Sequence, residues 1–171
     1  IKYQITVAKL PLAKDIDDFD FTDTPVNEGL VRQLATGAFL AEQHNIVLVG
    51  GTGTGKSHLS IALARALIRN GARGRFFNVV DLVNRLETEA RSGKQGRLAD
   101  FITRLDFVIM DELWQALRSG TGMVDRVDAL TRLNRSYGVG TAMITHTMSD
   151  LRALPTPEDY MKAKGFVERS G

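Results

Sequence analysis

The 171-residue chain contains no cysteine, which excludes a disulfide framework and any cysteine-ligated zinc site. Its histidines, His44, His58 and His146, are scattered through the chain and do not suggest a metal cluster. No apolar run approaches the ~18 residues that a helical membrane span needs, and no charged-then-apolar leader opens the chain. The expectation is a cytoplasmic protein with no membrane partner. There is little proline, with Pro155 and Pro157 the only local cluster, and neither an internal repeat nor a low-complexity segment. Ile1 stands where an initiator methionine is usual, and Glu168-Arg169-Ser170-Gly171 carries no helix stop, so a piece of a longer chain is expected.

What is present is the composition of one ordinary soluble domain, with 43% hydrophobic and 25% charged residues interleaved. The net charge of +2 hides an uneven distribution. Residues 1–49 carry 4 basic and 7 acidic groups, residues 50–110 carry 10 and 5, and residues 111–171 carry 8 and 8. The middle stretch, at +5, draws its excess from Arg65, Arg69, Arg73, Arg75, Arg85, Arg91, Lys94, Arg97 and Arg104. Such a stretch suits a polyanion, although Arg65 and Arg69 also have the spacing of one solvated helix face.

Residues 1–26 show no sustained period and read as an extended arm, followed by a nucleotide-binding core over 27–171. Asn27 caps an expected helix to about Gln43. Asn45-Ile46-Val47-Leu48-Val49-Gly50 is an unbroken apolar run ending in glycine, the pattern of a strand buried on both faces of a parallel sheet. A helix over 57–70 stops at Gly71. Beyond it come a strand over 75–80, a helix over 81–91 capped by Asp81, a basic loop, a helix over 98–105 and a strand over 106–111. A helix over 124–135 and a strand over 140–146 follow. Strands alternating with helices predict a single α/β domain, a parallel sheet sandwiched between helices.

Between the first strand and its helix lies Gly50-Gly51-Thr52-Gly53-Thr54-Gly55-Lys56-Ser57, a match to G-x-x-x-x-G-K-[ST] in the context that motif requires. The glycines let the backbone turn so tightly that several N–H groups aim at one phosphate chain, beside the positive end of the helix. Lys56 is placed for the β- and γ-phosphates of ATP, and Ser57 for Mg²⁺. At the end of the strand 106–111, Asp111 supplies a second Mg²⁺ anchor and Glu112 a general base. Thr145 or His146, at the end of the last strand, is the candidate sensor of the γ-phosphate, because parallel strands bring their C-terminal ends to one crevice. Arg126, Arg132, Arg135, Arg152 and Arg169 are all candidates for a transition-state arginine, and the spacing does not choose among them.

From its start to residue 113 the chain resembles the IstB-like transposition helper ATPases, relatives of DnaC-type helicase loaders in the AAA+ class. The resemblance rests on Lys9-Leu10-Pro11, Phe19-Asp20-Phe21, Pro25-Val26-Asn27-Glu28, 34–40, the P-loop, 74–84 and 107–113. It implies an ATP-binding, ATP-hydrolysing protein that assembles on double-stranded DNA, as a possible homo-oligomer, and presents that DNA to a transposase. It also implies Phe19 and Phe21 as adenine contacts, with Lys94 and Arg97 as phosphate contacts to DNA. Past Leu113, the runs 123–135, 144–147 and 165–171 look more like conjugation and DNA-translocation ATPases, which implies a hybrid joined near 111–113. Neither a fifth strand beside the first nor an AAA+ lid is evident. The alternative readings are a fragment of a translocation motor and a nucleotide-binding module with little turnover.

Overall fold

Strand β3 (Phe107–Asp111) carries the layout of the molecule, because its first four residues are buried and its alternating side chains feed two different cores. The computed structural model describes residues 1–118 and 121–145. Val108 and Met110 point into one layer, and Phe107 and Ile109 into the other. Four parallel strands form the sheet in the order β1-β4-β3-β2, with β1 spanning Ile46–Val49, β2 Gly74–Asn78 and β4 Gly140–Thr145. Hence β3 and β4 are interior strands, covered on both faces as parallel pairs require.

Helices α1 (Lys2–Ala8), α3 (Ala38–Ala41) and α4 (Lys56–Arg69) cover one face, where Ala8, Phe39, Leu67 and Ile68 meet Ile109 and Ile144. The other face is covered by α5 (Val79–Arg91), α6 (Arg97–Thr103), α7 (Leu113–Arg118) and α8 (Thr121–Ser136). Leu82, Ile102, Leu113, Val124 and Val127 there share one core with Met110 and Met143. That core runs unbroken across Leu113.

Several boundaries differ from the sequence expectation, each for a local reason. The arm is not extended throughout: it opens with α1 and has one 3₁₀ turn at Ile16–Asp18. The helix expected from Asn27 to Gln43 is two, α2 (Glu28–Ala35) and α3, because Gly37 takes φ +84° between them. Asp81 does not cap α5; Asn78 does, its side-chain oxygen accepting from the N–H groups of Val80 and Asp81. Strand β1 is an edge among the described residues, as expected where no fifth strand is evident beside it and not doubly covered as its apolar run alone suggests, with Ile46, Val47 and Leu48 half-buried and Val49 exposed. Helix α7 had no counterpart in the sequence reading.

Asp15 fastens the arm to the core. Its carboxylate accepts from Arg65 Nε at 2.9 Å and meets Arg69 NH1 at 2.9 Å, both on the outer face of α4. This anchoring lays Ile16, Phe19, Phe21 and Val26 over Leu59, Leu63 and Val31. Hydrogen bonds from the two arginines hold the Asp15 carboxyl below the ordinary aspartate value of 3.8. A carboxylate depressed on folding stabilises the fold above its unfolded pKa, and that contribution disappears as the pH falls through the folded value. With the side chain about a third exposed, solvent screening keeps the effect small. Asp15→Asn is therefore expected to lower stability by about 1 kcal/mol at neutral pH in urea unfolding, and the gap between the two chains should close below the folded pKa.

Candidate functional site

The P-loop joins β1 to α4, and its shape follows from three contacts. Gly50 donates its N–H to the carbonyl of Thr145, at 3.4 Å, which ties the start of the loop to the end of β4. A Cβ on Gly50 would fall 2.8 Å from Thr54 Oγ1, so the close return of the loop requires glycine there. Gly55 takes φ +83°, and a Cβ on it would lie 2.4 Å from the Phe19 ring. The arm therefore braces the P-loop from outside.

Lys56 begins α4, and its Nζ donates to the Gly51 carbonyl at 2.5 Å and to Thr54 Oγ1 at 3.4 Å, so the ammonium is folded over the loop. The first N–H groups of a helix have no partner within it, and no acidic side chain occupies this first turn. Ser57 Oγ donates to Asp111 Oδ2 at 3.4 Å. The other Asp111 oxygen accepts from the Glu112 N–H at 2.9 Å. Glu112 sits at φ +60°, a left-handed conformation that costs a non-glycine residue about 1–3 kcal/mol and turns its carboxylate out of the strand direction. Gln115, one helical turn on in α7, donates its Nε2 to Glu112 Oε2 at 2.8 Å.

Thr52 to Ser57, His58, Asp111, Glu112, Trp114, Ile144 and Thr145 line a cavity of about 320 Å³. Thr145 is 1% exposed, and its Oγ1 is buried with no hydrogen-bond partner among the described residues. A buried hydroxyl without a partner is costly unless a ligand satisfies it, so the donor set fits a polar, anionic occupant and not an apolar one. Beyond the P-loop a larger, mostly apolar groove of about 860 Å³ runs between the arm, α2 and β1, and includes Phe19, Val26, Leu30 and Ile46 to Gly50.

The structure thus brings together Gly50 to Ser57, Asp111, Glu112 and Thr145, and adds Phe19 at the boundary of cavity and groove. Phe21 does not line the groove; it packs edge-on behind Phe19, with ring centroids 4.8 Å apart. Lys94 and Arg97 lie apart from the cavity, exposed around the turn between α5 and α6. His146 falls outside the described residues, as do Arg152 and Arg169. Of the other arginine candidates, Arg126 is ion-paired with Glu87, and Arg132 with Asp128.

Two contributors were missed in the sequence. His58, considered in the sequence only as a metal ligand, lines the cavity, stands edge-on to Phe19 at 5.3 Å and hydrogen-bonds the Asp15 carbonyl through Nε2 at 3.2 Å. Gln115 follows Glu112 at the i, i+3 spacing of a helix, a usable signal only once α7 is recognised.

Residues 1–149 match the family model described as IstB-like ATP binding protein. The chain belongs to the IstB-like family. This IstB-like chain is 36% identical over 114 residues to the insertion sequence IS5376 putative ATP-binding protein of Geobacillus stearothermophilus, covering 66% of the chain and 45% of that protein. It is 33% identical over 142 residues to the insertion sequence IS21 putative ATP-binding protein of Pseudomonas aeruginosa, covering 81% of the chain and 51% of that protein. The chain thus spans about half the length of the curated relatives it matches. In fold it is similar to AMPPCP-bound DnaA from Aquifex aeolicus, with a TM-score of 0.75, 14% identity and coverage of 92% of this chain and 49% of that one. It is also similar to the DnaC helicase loader, with a TM-score of 0.62, 19% identity and coverage of 100% and 90%. These likenesses show the fold that the chain shares with DnaA and the DnaC helicase loader.

The family match corrects one expectation. It continues to residue 149, so the IstB-like likeness does not end at Leu113.

The brace between arm and P-loop can be measured. Gly55→Ala is expected to destabilise the chain by about 2–4 kcal/mol, from the clash with Phe19 and the left-handed backbone together. In a double-mutant cycle followed by urea unfolding, adding Phe19→Ala should relieve the clash but not the backbone strain, giving a favourable coupling energy. Strictly additive effects would mean that Phe19 does not rest on Gly55.

Proposed function

We propose that this chain binds ATP with Mg²⁺ and hydrolyses it, as the nucleotide-dependent part of a DNA-transposition helper that assembles on double-stranded DNA. The observation that carries this reading is the meeting of three strand ends: the P-loop after β1, Asp111 and Glu112 after β3, and the partnerless Thr145 hydroxyl at the end of β4. In this reading Lys56 leaves the Gly51 carbonyl and donates to the β- and γ-phosphates. Backbone N–H groups of the loop and of the first turn of α4 hold the phosphate chain, and Phe19 flanks the adenine, with Phe21 supporting it. Ser57 Oγ and Asp111 would hold Mg²⁺, which neutralises charge on the phosphates. Glu112 takes a proton from the attacking water as the bond from the γ-phosphorus to its bridging oxygen breaks, and Thr145 hydrogen-bonds the γ-phosphate or that water. Gln115 holds one Glu112 oxygen in place and leaves the other for the water.

The DNA part draws on the family and on charge. Lys94 and Arg97 are exposed and have no ion-pair partner among the described residues, which leaves them available to phosphates. A transposase partner and self-association on DNA follow from the family picture.

Steady-state phosphate release, with and without duplex DNA, tests the reading. Lys56→Ala should abolish ATP binding, and Glu112→Gln should retain binding and lower turnover by roughly 10²–10⁴-fold. Gln115→Ala should lower kcat several-fold with KM unchanged. Bound ATP that persists uncut in the unsubstituted chain would instead identify a binding module with little turnover. Replacing both Lys94 and Arg97 with alanine should weaken duplex binding and flatten the log–log salt slope by roughly 2. An unchanged slope would remove that turn from the DNA surface.

A further inference from the structure

The basic middle stretch is less free than its composition implies. Arg65 and Arg69 share the single carboxylate of Asp15, Arg73 pairs with Asp106, Arg91 with Glu87, which Arg126 also contacts, and Arg104 with Asp100. Apart from the Lys94–Arg97 turn, that leaves Arg75 and Arg85 with no carboxylate partner among the described residues. Both line one cleft of about 520 Å³ beside the edge strand β2, away from the P-loop, with Lys9 at the end of α1. Asp81 is the one acidic group lining it.

Arg75 is held in place rather than left loose. Its NH1 donates to the Val7 carbonyl at 2.6 Å, and its guanidinium carbon lies 5.7 Å from the ring centroids of both Phe77 and Phe101. Its Nε is buried and has no hydrogen-bond partner. Burial, and then the charge of Arg85, hold the Arg75 guanidinium below the usual arginine value, yet an arginine stays charged. Two like charges therefore line one cleft, and an anion bound between them offsets their repulsion. Three cations against one carboxylate leave a local charge of about +2, and planar guanidinium forks match phosphate oxygens. The N-terminus of α5 is not the receptor, because the Asn78 side chain already occupies its N–H groups.

We propose that the cleft between β2, α5 and the end of α1 is a second anion site, in which Arg75 and Arg85, with Lys9, bind a tetrahedral phosphate group. That group is either a free phosphate or a phosphodiester of a nucleic-acid backbone. The site is independent of the nucleotide bound at the P-loop and of the turn carrying Lys94 and Arg97.

The test uses the full chain carrying Lys56→Ala, which removes phosphate capture by the P-loop. Calorimetric titration with inorganic phosphate and pyrophosphate, and anisotropy of a labelled DNA duplex over a salt series, are compared with and without Arg85→Gln. The Arg85 side chain is exposed and makes no hydrogen bond among the described residues, so this substitution leaves the fold intact, whereas Arg75 also anchors α1. Arg85→Gln is expected to weaken at least one of these anions about tenfold, with Arg85→Lys restoring part of the loss. Loss confined to phosphate or pyrophosphate identifies a small-anion site. Loss of duplex affinity, with the salt slope shallower by about 0.9, identifies the backbone. In the chain with Lys56 intact, ATP binding should not respond to Arg85→Gln, so failure here is distinguishable from failure at the P-loop. Phosphate, pyrophosphate and duplex binding all insensitive to Arg85→Gln, or all absent from the Lys56→Ala chain, would overturn the proposal.

Discussion

The insertion of β4 between β1 and β3, all three parallel, is the constraint on which the site depends. Parallel pairing sends every strand in the same direction, so whatever follows their C-terminal ends must collect on one side of the sheet. Val49 is in register with Thr145, and Met110 with Met143, which sets the P-loop, Asp111 and Thr145 around one cavity. The sequence separates Ser57 from Asp111 by more than fifty residues, and this register brings their side chains to 3.4 Å. A strand slipped by one residue would turn Asp111 to the other face and dissolve the pair.

A second dependence runs from charge to backbone. Asp15 binds two arginines on the outside of α4, and this draws the arm across the helix and seats Phe19 on Gly55. His58 closes the same junction through the Asp15 carbonyl and the Phe19 ring. The P-loop, open to solvent on its phosphate side, is thus supported from behind by a segment with little regular structure of its own. The same ion pairs remove Arg65 and Arg69 from any polyanion surface. Pairing divides the basic stretch into cations that serve the fold and a few that remain available, at the α5–α6 turn and in the cleft beside β2.

Much of this was legible in the sequence because its signals are local. A buried strand, a glycine turn and a helix cap are each written within a few residues, and the P-loop carries all three in order. The acidic pair ending the third strand is legible for the same reason. The extended arm and the single helix from Asn27 were misread where local pattern competes with tertiary packing. Gly37 breaks the helix at a positive φ, Arg75 and the β2 edge give α1 a surface to dock on, and α7 and α8 join the core begun by α5.

By itself, then, the sequence determined the α/β alternation, the phosphate loop and the identity of most residues that line the cavity beside it, since each depends on neighbours in the chain. Only the tertiary structure decided strand order, the partner of each arginine, the hold of Gln115 on Glu112 and the burial of the Thr145 hydroxyl. Those depend on distances between segments far apart in sequence, and a distance of that kind exists only once the strands have chosen their neighbours.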